Sequence, residues 1–324
     1  MSQSLIQLGN GILVEAEGCR FRFDPKRVLE GDVCMVSHAH SDHLPTSFKG
    51  GSIICSPVTR DFVRLRRKKE FQVSTHPSVR MLDAGHIAGS SMFLVAAGKD
   101  HLYTGDFCTR QKAHTKGAKA QKCDVLIIEA TYGKPHYIFP DHDEMMGIVR
   151  DWLQDITRNG GTAVLYAYPL GKSQELAFHL GELPLVVQST IAENNRVLRN
   201  HGFDLTTDEY DPERTKAPFV YITSGYGKDM ARVESMKKKG ARTAAFSGWA
   251  LDREFTSQSR VNEAFPLSDH CDFQELTEFV RECSPEQVFT THGFAKEFAI
   301  HVRRTLGIDA QPLTARQRTL EHFC

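Results

Sequence analysis

Short apolar runs rich in β-branched residues, each closed by glycine, proline or aspartate, fill the first third of the chain. Residues 4–23 alternate around Gly9-Asn10-Gly11 and Glu17-Gly18, which predicts antiparallel strands. A buried strand is expected over 32–36 and another over 52–55, then a helix from Ser56-Pro57 to about Lys69. Strands follow near 79–84, 91–97, 100–105 and 125–128. From about residue 140 the period changes. Helices over 141–158, 172–182, 189–201 and 227–239 alternate with strands over 162–168, 185–188, 218–223 and 242–246. That βαβ rhythm predicts a small parallel sheet with helices on both faces. After about 255 come strand 261–266, a helix, strand 286–290 and a last helix, as though the chain returns to its first domain. The expected organisation is therefore a first part over 1–140, an insert over 141–255 and a return segment over 256–324.

Composition narrows the class. The chain has 324 residues, enough for one large or two medium domains. Forty Lys and Arg balance forty Asp and Glu, so bulk charge argues neither for nor against nucleic acid. Eight scattered cysteines include no Cys-x-x-Cys pair, which leaves a zinc ribbon unsupported. No stretch approaches the roughly 20 apolar residues of a membrane span. The start of the sequence does not read as a secretion signal, so the expectation is a cytoplasmic protein with free thiols and no membrane partner.

The chemistry concentrates in Ser37-His38-Ala39-His40-Ser41-Asp42-His43, where three histidines and an aspartate occupy seven residues at a strand exit. In extended chain, His38 and His40 project to the same side. Imidazoles with a carboxylate suit zinc, and also manganese or iron. His86, held among glycines, Asp106 and His292 also sit beside expected strand ends, which makes seven candidate ligands. Seven suits two cations sharing one carboxylate, a pair able to activate a water and clamp a phosphodiester. Asp24 ends a strand and either supports that site or caps a turn. Glu129 closes the apolar run Val125-Leu126-Ile127-Ile128 and needs a partner there. Gly171-Lys172-Ser173 opens a helix after a strand, but a nucleotide loop would need Gly where Tyr166 stands, so an ATPase is rejected. A helix start with Lys172 suits a backbone phosphate of a nucleic acid or an ordinary helix end. The basic run at Arg64, Arg66, Arg67, Lys68 and Lys69 reads as a solvated helix end, with a phosphate-facing patch as the alternative.

The ordered set resembles the metallo-β-lactamase superfamily. His38-Ala39-His40-Ser41-Asp42-His43 is similar to its central motif, Asp24 to its first aspartate, His86 to its third motif and Asp106 to its fourth. Glu129-Ala130-Thr131-Tyr132-Gly133, Ser268-Asp269-His270 and Thr291-His292-Gly293 resemble motifs A, B and C of the nucleic-acid-processing β-CASP branch. Leu170-Gly171-Lys172-Ser173 and Phe246-Ser247-Gly248-Trp249 resemble loops that approach the nucleic-acid backbone there, which makes Gly171, Lys172, Ser173, Ser247 and Gly248 candidate phosphate contacts. Within the branch the nearest resemblance is to compact prokaryotic ligase-associated DNA exonucleases.

The resemblance implies an α/β (α+β) chain: a four-layer αββα metallo-β-lactamase fold with an inserted small parallel βα β-CASP cap domain. It implies two divalent metal ions, zinc by default with manganese as the alternative. His38, His40 and His86 would hold one; Asp42, His43 and His292 the other; Asp106 would bridge. His270 would be the general acid, with Glu129 orienting it and Asp42 serving catalysis as well as metal binding. The implied activity is a DNA exonuclease of repair or end processing, acting on a single strand or an end, with DNA ligase or helicase as associates. An RNase is the alternative, although the short insert weighs against RNA 3′-end endonuclease action. A non-catalytic nucleic-acid-binding subunit would lack ligands, and a thioesterase-like hydrolase would not need the insert.

Overall fold

The computed structural model describes residues 5–227 and 229–314. Residues 1–4 and 315–324 of the outer expected segments, Cys324 among them, lie outside the described residues, as does residue 228 of the expected helix 227–239. The chain divides into two compact units. The first takes the chain up to Arg110, Lys116–Pro135 and the chain from Phe273 on; the second takes Gln111–Thr115 and His136–Asp272.

The first unit holds two six-stranded sheets. One runs in the order Leu5–Gly9, Gly11–Ala16, Cys19–Phe23, Val33–Met35, Ser52–Ile54, Gln72–Val73. Its first three strands are antiparallel and its later pairings parallel. The other sheet runs Asp309–Pro312, Gln287–Thr291, Val125–Glu129, Lys99–Tyr103, Ser91–Ala97, Val79–Asp83. Alternation along these strands explains the layering. Phe21, Phe23, Met35 and Ile54 of the first sheet share one core with Phe93, Val95, Tyr103, Val125, Ile127 and Phe289 of the second. The intervening Cys34, Leu126, Ile128, Val288 and Thr290 are buried as well. Both faces of the central strands are therefore covered, one by the partner sheet and the other by helices. Helix Pro57–Arg67 buries Phe62 and Val63, and helix Phe273–Cys283 buries Leu276, Phe279 and Val280. Helix Ala295–His301 buries Phe298 and Ala299. Each fully buried Phe or Leu contributes roughly 1.5–3 kcal/mol of transfer free energy. The result is an αββα arrangement of α+β class.

The second unit has one sheet, parallel throughout, in the order Asp208–Glu209, Leu185–Val187, Phe219–Thr223, Thr162–Tyr166, Arg242–Phe246, Glu263–Phe265. Its inner strands are apolar without alternation, as a sheet buried on both faces requires. Glu263–Phe265, expected in the return segment, instead pairs with Arg242–Phe246, and the first unit resumes only at Phe273. Strand Asp309–Pro312 was not expected. Asp-Ala-Gln-Pro carries no alternation, and proline is tolerated there because this is an edge strand. Among the described residues no helix is long and apolar enough to cross a membrane, and the seven described cysteines are free thiols.

Candidate metal centre

The seven candidate ligands all belong to the first unit. They sit on loops that leave strand ends, so two rigid sheets fix loops that are themselves irregular. His38, His40, Asp42 and His43 follow strand Val33–Met35, and a turn in which His43 N–H donates to His40 O at 3.1 Å folds the stretch back on itself. Two cations brace this loop from outside. Arg67 donates to Ser41 O at 3.3 Å and to Leu44 O at 3.1 Å, and Lys26 donates to Asp42 O. Sequence reasoning placed Arg67 at a solvated helix end and passed over Lys26.

His86 sits in a tight turn where its N–H and that of Ile87 donate to Ser90 Oγ at 3.1 and 3.2 Å. Gly85 has φ +70°, and a Cβ there would lie 2.2 Å from Cys108 O, so that approach demands glycine. Asp106 follows strand Lys99–Tyr103. The next residue, Phe107, donates its N–H to Glu129 Oε1 at 3.0 Å. Glu129 Oε2 accepts from Thr131 N at 3.2 Å and from Thr131 Oγ1. The strand-end carboxylate thus holds the backbone beside Asp106. His292 has φ +56°, a left-handed conformation that costs a non-glycine residue roughly 1–2 kcal/mol and points to a functional constraint.

These loops converge. Asp106 Oδ2 lies 3.6 Å from His38 Nε2, 3.5 Å from His43 Nε2 and 3.8 Å from His86 Nε2. His86 Nε2 lies 3.2 Å from His40 Nδ1, and His43 Nε2 lies 3.6 Å from Asp42 Oδ2. The His43 and His292 rings are 5.4 Å apart. Ligand atoms of His38, His40, His86 and Asp106 all fall within 4.8 Å of one another. Most of these separations exceed a hydrogen bond. Donors at about 2.1 Å from a shared ion and tetrahedral to it stand about 3.4 Å apart. The observed spacing therefore fits donors arranged around divalent ions, and Asp106 Oδ2 is the oxygen that three imidazoles share as a neighbour.

Asp24 sets the second layer. Its Oδ2 accepts from His43 Nδ1 at 2.7 Å, Ser37 Oγ at 2.6 Å and Tyr103 Oη at 2.7 Å, while Oδ1 accepts from Ser37 N at 2.6 Å. That fixes the His43 proton on Nδ1 and turns Nε2 toward Asp106 and Asp42. Burial opposes the Asp24 charge, but His43 and the Ser37 donors outweigh it and hold the carboxyl below its ordinary range. For His43, burial works against the cation, yet Asp106 and Asp24 push its value up to about 10. Burial, with the Asp24 charge, raises the Tyr103 phenol and keeps it a donor. Ser37 and Tyr103 were not singled out from sequence. Ser37 was legible only as the residue before His38, and Tyr103 read as core.

His270 belongs to the second unit, where its N–H donates to Ser268 Oγ at 3.0 Å. The five candidate phosphate contacts also lie there. Lys172 is 4% exposed and its Nζ donates to Asp269 Oδ1 at 3.0 Å, an oxygen that also accepts from buried Lys112 at 3.0 Å. Ser173 Oγ donates to Tyr168 O at 2.6 Å, and Gly171 N–H donates to Gln174 Oε1 at 2.7 Å. All three residues thus have partners within the second unit, Lys172 through its contact with Asp269. Ser247 Oγ accepts from Trp249 N at 3.3 Å, which caps the short helix Gly248–Leu251, and Gly248 is buried.

Residues 260–311 match the family model of the Zn-dependent metallo-hydrolase RNA specificity domain. The chain is 34% identical over 290 residues to a "Probable DNA ligase" of Opitutus terrae, which covers 85% of this chain and 28% of that protein. It is 25% identical over 370 residues to cleavage and polyadenylation specificity factor subunit 3 of Dictyostelium discoideum, covering 83% of this chain and 47% of that protein. It is 23% identical over 292 residues to DNA cross-link repair protein SNM1 of Arabidopsis thaliana, covering 79% and 60% respectively. The chain thus spans less than two thirds of each of these relatives.

Proposed function

Because the chain belongs to the metallo-β-lactamase superfamily, in its β-CASP branch, we propose that it is a metal-dependent phosphodiesterase that acts on DNA ends as an exonuclease. The observation that carries this reading is the convergence of His38, His43 and His86 on one oxygen of Asp106. A carboxylate shared by that many imidazoles suits two divalent cations. His38, His40 and His86 would hold one and Asp42, His43 and His292 the other, with Asp106 between them. Zinc is the default for five imidazoles, and manganese the alternative. Such ions supply Lewis acidity, which neutralises charge on the phosphate and activates water for attack. The chain's own residues do the rest. Asp24 holds the His43 Nδ1 proton, so that Nε2 is the nitrogen that would give up its proton and turn a lone pair inward when an ion binds. The Asp42 side chain, 73% exposed, would offer its carboxylate to an ion and to a water from the solvent side. Glu129 fixes the backbone beside Asp106 and, in this reading, also orients His270, which gives a proton to the leaving oxygen.

The similarity to a DNA ligase and to a DNA repair protein supports DNA as substrate. RNA is the second reading, favoured by the name of the matching family model. Matched end-labelled single-stranded DNA and RNA, incubated with a panel of divalent ions, separate the two. Release of mononucleotides from DNA, lost in Asp42→Ala and His270→Ala variants that keep the wild-type circular dichroism, is the expected result. Cleavage of RNA alone would establish the second reading, and full activity in either variant would overturn the role assigned to it. Association with a ligase or helicase is part of the same proposal, tested by co-purification from the source cells.

A further inference from the structure

The second unit holds another cluster of ligand-type side chains. Glu175 Oε1 lies 3.0 Å from His142 Nε2 and 3.1 Å from His179 Nε2, and Glu175 Oε2 lies 2.7 Å from His114 Nδ1. We propose that His114, His142, Glu175 and His179 form a metal site separate from the first centre, which takes one divalent cation of the zinc class and ties the second unit together.

Three observations converge on it. The first is chemical. Three neutral imidazoles and one carboxylate are a full tetrahedral set for zinc, and four protein ligands with no open position mark a structural site. A carboxylate at Glu175 would bring one negative charge toward a dication, and ligand atoms of His142, Glu175 and His179 lie within 4.8 Å of one another. The second is the state of the polar atoms. The side chains of Glu175 and His114 are fully buried. Both ring nitrogens of His114, Nε2 of His142 and Oε2 of Glu175 are buried without a well-formed hydrogen bond among the described residues. His179 Nε2 is hydrogen-bonded to Glu175 Oε1 at 3.1 Å, but the other two approaches miss the alignment that would satisfy their atoms, and orphaned buried polar atoms are costly. The third is how the residues are supplied. Glu175 and His179 stand at i and i+4 on helix Lys172–His179 and share a face. His142 is the first residue of helix His142–Arg158. His114 comes from Gln111–Thr115, the short excursion that belongs to this unit although both flanking segments belong to the other. Its ring stacks on Phe178 at 5.6 Å and 4°.

An ordinary hydrogen-bonded network is the rival. Lys172 senses the Glu175 charge, but its Nζ is engaged by Asp269 Oδ1 at 3.0 Å. The observed 2.7–3.1 Å separations would widen by about half an ångström to reach tetrahedral spacing. That is a side-chain adjustment. His142 and His179 keep 11% and 21% of their side-chain surface, which gives an ion a way in.

The test uses the full chain and does not depend on nuclease activity. Zinc per chain is measured by mass spectrometry for the wild type and for His142→Ala/His179→Ala. The expected result is a loss of one equivalent. In parallel, a chain carrying His38→Ala, His43→Ala and Asp106→Ala is stripped with chelator and titrated with zinc while its melting temperature is followed. A saturable rise at one equivalent, absent when His142→Ala/His179→Ala is added, supports the site. Unchanged zinc content, or no zinc-dependent rise in the chain with the first centre disabled, overturns it. The second arm decides the matter even where the double variant does not fold.

Discussion

Asp24 Oδ2 accepts the Nδ1 proton of His43 at 2.7 Å, and the same oxygen is held by Ser37 and Tyr103. A residue nineteen positions upstream of a proposed ligand therefore decides which ring nitrogen His43 would offer. Asp24→Asn keeps the shape and loses the charge. Metal affinity is expected to fall about 10–100-fold, as outer-layer partners of ligating histidines typically show. Competition with a zinc chelator reads it; unchanged affinity would reduce Asp24 to a turn residue.

The same contact has a pH consequence. Folding depresses the Asp24 value, so on the acid side the folded chain binds fewer protons than the unfolded one. Stability from this group is complete above the unfolded value of about 4 and is lost as pH falls through the folded value. Glu175 acts in the same direction. Melting temperature against pH should therefore drop steeply on the acid limb, and Asp24→Asn should flatten part of that drop.

His43 titrates the opposite way. At about 10 it is protonated in the metal-free chain at neutral pH, so a metal must displace a proton to use Nε2. Zinc uptake should release about one proton through this residue and strengthen as pH rises toward 10. Calorimetry in two buffers of different ionisation enthalpy measures the number; His43→Ala should remove it.

Much of this centre is written in the sequence. Seven ligand-type residues beside strand ends were legible because imidazole density is hard to explain otherwise, and apolar runs fixed those strand ends to within a residue or two. What could not be read is what depends on partners distant in the chain. Lys172 looks like a surface cation at a helix start until Asp269 is seen to hold it. Arg67 looks like a solvated helix end until its guanidinium reaches Ser41 O and Leu44 O. His114, His142, Glu175 and His179 are spread over separate segments, and nothing local distinguishes them from polar surface. Strand Asp309–Pro312 has no hydrophobic pattern and forms because a neighbouring edge is free to pair.

Asp269 makes a sharp stability prediction. It receives two buried lysines on one oxygen. Asp269→Asn removes the compensating charge and leaves both cations buried, which is expected to cost about 3–5 kcal/mol. Lys172→Met removes only one of two cations and should cost less. Urea unfolding of both variants checks the order; equal costs would contradict it.

Gly293 is the backbone test. It has φ +45°, and a Cβ there would lie 2.4 Å from Thr131 Cα, against the chain that follows Glu129. Gly293→Ala should displace His292 and lower stability by about 2 kcal/mol or more through overpacking and backbone strain. Reduced metal occupancy at otherwise native circular dichroism would show that the turn exists to aim His292.

The most direct measurement of the central claim is anomalous scattering from crystals of the zinc-loaded chain. Two peaks on either side of Asp106 Oδ2 are expected, one near His38, His40 and His86 and the other near Asp42, His43 and His292. A single peak that leaves His292 unengaged, or none beside Asp106, would contradict the dinuclear centre and the phosphodiesterase reading built on it.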